Sequence, residues 1–82
     1  MVDQSVDKII ALERAAAQRE LADLQQRLQA FEAHYQMPSE DFYRRFRAGG
    51  LGDSADFVEW SVFYEMWKSV QERLEILDAG AV

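Results

Sequence analysis

An all-α fold, built as an antiparallel hairpin of two long helices with a short helix in the connection, follows from three features of this 82-residue chain. Apolar residues recur at alternating spacings of three and four through the first thirty-five positions. A second set of stripes, richer in aromatics, runs from Phe57 to Leu77. Between the two lie the single proline, Pro38, and three of the four glycines, Gly49, Gly50 and Gly52, which break helices.

The first helix is expected over residues 7–36. Ile10, Ala17, Leu21, Leu24, Leu28, Phe31 and Tyr35 form its apolar stripe, with Arg14 interrupting. Glu13, Gln18, Arg19, Glu20, Gln25, Gln26 and Arg27 form its solvated side. A helix of this length spans about 43 Å at 1.5 Å per residue, so it needs an equally long surface to lie on. The second helix is expected over residues 38–48. Proline and acids suit its first turn, and the cap stays open among Met37, Pro38 and Ser39. Phe42 and Phe46 share one face of it, while Arg44, Arg45 and Arg47 lie around the other side. Gly49-Gly50 ends it. The third helix is expected over residues 54–77, with Asp53 as N-cap and Asp56 as the reciprocal acid. Folding back, it brings Phe57 and Trp60 toward Phe31 and Tyr35, and Leu74 and Leu77 toward Ile9 and Ile10. The Phe42/Phe46 face then plugs the end where the long helices meet.

Eighty-two residues make one domain, here 1–82. A chain this short buries only about 60% of its unfolded surface, and without cysteine no disulfide or thiolate metal site can help. Association is the remaining common route to stability. Lack of cysteine suits a reducing cytoplasm. The opening residues form no secretory signal, and every apolar run is broken well short of about 20 residues, so no membrane anchoring is expected. The net charge of −6 is uneven. From Gly50 onward seven acids face only Lys68 and Arg73, while the first 49 residues nearly balance. An acidic chain lacks the positive field that phosphate binding needs, and it favours a basic protein partner.

Each polar cluster has a plain structural explanation. Asp53, Asp56 and Glu59 resemble a cation site, but helix capping and the helix dipole account for their spacing. His34 has no nucleophile or paired carboxylate at motif spacing. Tyr43-Arg44-Arg45-Phe46-Arg47 mixes bases with aromatics as nucleic-acid sites do, yet it also reads as an amphipathic short helix with aromatics in and arginines out, the reading that the acidic chain favours. No catalytic residue, cofactor or metal is expected.

The third helix is more informative. Phe57, Trp60, Tyr64 and Trp67 form one stripe and Phe63, Met66 and Val70 an adjacent one. Together they are wider than one facing helix can cover. Either the second helix covers the excess, or part of it is an interface, where such residues concentrate. The first stripe is in register with Leu21, Leu24, Leu28 and Phe31 and is assigned to the core. Phe63, Met66 and Val70, with Glu65 and Glu72 beside them, are the interface candidates.

The stretch from Phe31-Glu32 through Tyr35, Met37, Ser39-Glu40 and Phe42-Tyr43 to Phe46, then Gly49-Gly50-Leu51-Gly52-Asp53 and Asp56-Phe57-Val58-Glu59-Trp60, resembles a pattern in short prokaryotic helical proteins similar to the TumA-type antitoxins. It covers residues 31–67, with Phe31, Tyr35, Phe42, Phe46, Phe57, Trp60, Tyr64 and Trp67 as family-motif or core positions. His34, Gln36 and Pro38 depart from the usual lysine, glycine and serine. The resemblance implies a non-enzymatic antitoxin that neutralises a small, RNase-like toxin encoded nearby. The alternative is a homo-oligomeric helical scaffold or adaptor. Either way a homo-oligomer is expected, with a dimer as its simplest form.

Overall fold

The computed structural model describes residues 4–80 and consists of three helices, with no strand among the described residues. Helix α1 spans Gln4–Tyr35, α2 spans Ser39–Arg47 and α3 spans Ala55–Gly80. No helix among the described residues is long and apolar enough to cross a membrane.

Each break in the chain has a local cause. At the end of α1, Gln36 adopts a left-handed backbone with φ 55°, and the Met37 N–H donates to the Glu32 carbonyl at 3.2 Å. This is the six-to-one bond of a Schellman stop. Glycine suits such a position better than a residue with a side chain. Pro38, in extended conformation, is the N-cap of α2 and lacks a capping side chain. The Glu32 carboxylate supplies the missing acceptor, taking the Ser39 N–H at 2.8 Å. Helix α2 ends in a second Schellman motif, where the Gly49 N–H reaches the Phe46 carbonyl and the Gly50 N–H the Arg45 carbonyl, both at 3.0 Å. The left-handed φ of 83° at Gly49 requires glycine there; no neighbour crowds the position. Helix α3 is capped by Ser54 rather than Asp53: its hydroxyl accepts the Phe57 N–H at 3.3 Å, and its carbonyl accepts the Val58 N–H at 2.9 Å. Asp53 and Asp56 are both acids near the helix start, but the shorter hydroxyl-bearing residue sits one position nearer the first turn.

Cross-chain bonds give the relation of the long helices. The Tyr35 hydroxyl, at the end of α1, donates to Asp56 at the start of α3. Arg14, near the other end of α1, donates to Asp78 at 2.9 Å and to the Leu77 carbonyl at 3.3 Å. These bonds join the end of α1 to the start of α3 and the early part of α1 to the end of α3. Ile9, expected beneath Leu74 and Leu77, is instead exposed.

Two buried clusters lie between the helices. One gathers Ala17, Leu24 and Val70, with Leu21, Phe63, Trp67 and Leu74 against them. The other holds Leu28, Phe42 and Trp60, with Phe31, Tyr35, Phe46, Phe57, Tyr64 and Trp67 packed around. Trp60 and Phe42 are fully buried and stacked in parallel, with ring centroids 3.8 Å apart. The rings of Phe31 at 5.4 Å and Tyr35 at 5.7 Å also stack with Trp60. The indole N–H donates to the buried Ser39 hydroxyl at 2.9 Å.

Two outcomes follow. Trp60→Ala should cost about 3–5 kcal/mol through the cavity it opens. Ser39→Ala should cost about 1–3 kcal/mol by orphaning the indole N–H. Denaturant titration followed by circular dichroism measures both. Gln36→Gly should instead stabilise the fold by about 1 kcal/mol, because it removes left-handed strain at a non-glycine residue. A lower midpoint for that variant would show that the Gln36 side chain, which donates to the Ala33 carbonyl at 2.8 Å, outweighs the strain.

Candidate protein-binding surface

The direction from which α3 is covered decides which of its residues remain free. Helix α1 packs on the side bearing Phe63, Trp67, Val70 and Leu74, and α2 on the side bearing Phe57 and Tyr64. The aromatic excess is thus shared between two helices. Two of the expected interface residues are displaced as a result. Val70 is core, only 3% exposed, because α1 lies over it. Phe63 is half-buried, touches both clusters, and carries the Arg27 guanidinium over its ring at 5.1 Å. Met66 remains exposed, as do Glu65 and Glu72.

The free face of α3 lies opposite α1 and α2. Val58, Val62, Met66 and Ile76 stand on it with exposures of 44, 48, 43 and 71%. The first three are spaced by four, which places them in one row along the helix. Composition and aromatic content drew attention to the two inner stripes, so Val58, Val62 and Ile76 were missed. The signal that finds them is the four-residue spacing of β-branched residues and Met66 on the side away from Trp60. Three further exposed apolar residues, Val6, Ile9 and Leu12, belong to α1.

Charge frames this face. Glu59, Glu65, Glu72, Lys68 and Arg73 are all exposed around it. Arg73 makes a loose ion pair with Glu20 at 3.7 Å, and the Lys68 ammonium lies 5.8 Å over the Tyr64 ring. Glu65 accepts the Tyr43 hydroxyl at 2.9 Å, which ties α2 to α3 at the edge of the face.

The remaining polar features are occupied locally. Asp56 takes the Tyr35 hydroxyl, and among the described residues no group of acids and histidine is arranged to hold a metal. The exposed His34 packs edge-on against Tyr35 at 4.6 Å. Arg44 pairs with Asp41, and Arg47 lies 5.9 Å over the Tyr43 ring. A groove of about 280 Å³ beside the start of α2 has Gln25, Glu32, Ser39, Glu40, Tyr64 and Trp67 in its lining; there the Ser39 hydroxyl accepts the Trp60 indole N–H and Glu32 accepts the Ser39 backbone N–H. The chain matches no family model, no curated protein and no solved structure.

The tyrosines allow a test of the α2–α3 and α1–α3 ties. The bond to Asp56 raises the pKa of Tyr35, and the bond to Glu65 raises that of Tyr43, each above the ordinary 10.0. Burial does the same for Tyr64. A group whose pKa is raised on folding contributes stability that is complete below its unfolded pKa. That contribution is lost as pH climbs through the raised value. The ties should therefore be complete below pH 10 and fail only as pH climbs through the raised values. Phenolate absorbance should show all three tyrosines ionising later than free tyrosine. Ionisation of Tyr35 and Tyr43 at the ordinary value would show that the two bonds do not persist in solution.

Proposed function

We propose that this chain is a non-enzymatic protein-binding module that works as the antitoxin of a toxin–antitoxin pair. In this reading it is an antiparallel helical hairpin that presents the outer face of α3 to a small basic toxin in the cytoplasm. The observation that carries it is the row Val58, Val62 and Met66. These are apolar side chains left in water on a helix whose other sides are already filled. A row of this kind at four-residue spacing fits the helix-in-groove mode of recognition. The surrounding Glu59, Glu65 and Glu72, and the surplus of acids after Gly50, favour a cationic partner. The antitoxin role rests on the pattern resemblance of residues 31–67.

A second reading, a homo-oligomeric scaffold without a toxin, is favoured by shape. The accessible surface of 5936 Å² is about 900 Å² above the roughly 5,050 Å² that a compact 9.5 kDa monomer exposes. The radius of gyration of 16.3 Å likewise exceeds the roughly 12 Å of a compact domain of this length.

Co-expression with the product of the adjacent reading frame separates the two readings. For an antitoxin, that product arrests growth alone, the chain relieves the arrest, and the two copurify. Val62→Asp, an outward change that leaves the core intact, should weaken the complex at least about tenfold. Added salt should weaken it further. A harmless neighbour that forms no complex would leave the scaffold reading in place.

A further inference from the structure

We infer that a second copy of this chain occupies the outer face of α3, with the two α3 helices antiparallel about a two-fold axis at Met66. This rests on reading that face as a binding surface, and it names the occupant when no other partner is present.

The pattern on the face is self-complementary. Glu59, Met66 and Arg73 are seven residues apart, so they lie along one flank of α3. All three are exposed. In an antiparallel pair related by a two-fold axis, the same flank of each helix meets its counterpart. Residues whose numbers add to a constant then lie opposite one another. An axis at Met66 sets Met66 against Met66 of the second copy and Glu59 against Arg73 of the second copy. Symmetry produces the reverse pair as well. The same register brings Val62 within one position of Ser69 of the second copy and Val58 within two positions of Ile76, the two ends of a row about 27 Å long. On the other flank it brings Glu65 close to Lys68. Two acids of each chain therefore meet bases, and the exposed apolar side chains of α3 meet one another or a small serine.

A shift of the axis by four residues loses this match. An axis at Val62 would set Glu59 opposite Glu65, acid against acid, with Arg73 beyond the overlap of the central row. The loose pair of Arg73 with Glu20 is exposed on both sides, so little holds Arg73 away from a new partner.

The test is charge reversal on the full chain, read by light scattering and sedimentation over a range of concentrations. The wild-type chain should have twice the 9.5 kDa chain mass. Glu59→Arg and Arg73→Glu should each weaken self-association at least about tenfold, because each sets like charges together twice. The double variant should recover it. In a separate variant, Met66→Cys should form an intermolecular disulfide under mild oxidation, since the chain has no other cysteine. Gln18→Cys, exposed on α1, should not. Circular dichroism establishes that each variant is folded. A monomer at all concentrations overturns the inference, and so does a dimer indifferent to both single reversals. If the wild type is monomeric while Val62→Asp still abolishes binding to the adjacent gene product, the second copy is excluded and the binding face stands. If the charge swap behaves as expected and no such product binds, the dimer stands and the antitoxin reading falls.

Discussion

The indole of Trp60 is the constraint on which the rest of the structure depends. Its ring stacks with rings from α1 and from α2, and its N–H needs an acceptor in a place water does not reach. Burying that N–H unpaired would cost more than a typical hydrogen bond contributes. Ser39 meets the need only if α2 begins where it does. The start of α2 is held in turn by Glu32 of α1, which accepts the Ser39 N–H. One tryptophan thus couples the end of the first helix, the start of the second and the first half of the third. The left-handed turn at Gln36 follows from the same requirement, because a straight continuation of α1 would carry Ser39 away.

That arrangement uses α2 at one end only. Around Trp60 three helices converge, and the largest side chains are sealed. Farther along, α1 and α3 have only each other, and the buried set shrinks to Ala17, Leu24 and Val70. The molecule measures 56 × 21 × 17 Å, a rod rather than a globule. A rod of this size keeps much of its surface in water, and the loss of burial falls on stability. Exposed apolar residues on α3 and on the early turns of α1 are the direct consequence of having three helices, one of them short.

Much of this was legible in the sequence, and the part that was not has a definite cause. Gly49, Gly50 and Pro38 fixed the breaks to within a residue or two, because left-handed stops and proline caps leave few alternatives. The Phe42/Phe46 face, expected to plug the end where the long helices meet, packs in the cluster around Trp60, since a short helix with two aromatics on one face can only cap the end it sits on. The misassignment came in α3. The periodicity assigns the stripe of Phe57, Trp60, Tyr64 and Trp67 to the core and so turns Val70 outward. The direction toward α1 lies between the two stripes. It is displaced from the first by α2, which takes the Phe57 and Tyr64 side. A helix covered from two directions has a wide buried sector, and periodicity along one helix cannot reveal where a second neighbour will lie. Asp53 lost the cap to Ser54 for a smaller reason: both are good caps, and one residue of register decided it.

The outer face of α3 connects architecture with function, because it can hold only one occupant at a time. Where a second copy covers Val58, Val62 and Met66, a toxin directed to the same row must displace it. Binding then becomes an exchange, and its apparent affinity carries the free energy of opening the dimer. Dilution would favour the free chain and raise that affinity, while accumulation of the chain would lower it. The acids bear differently on the two occupants. In the proposed symmetric pair Glu59 and Glu65 would meet a matched number of bases, whereas Glu72 and Glu75 would have no counterpart. A strongly basic partner can engage all four, so the charge surplus favours exchange toward the partner at low salt. On the proposed reading, the same surplus gives a cationic protein the advantage over a second copy.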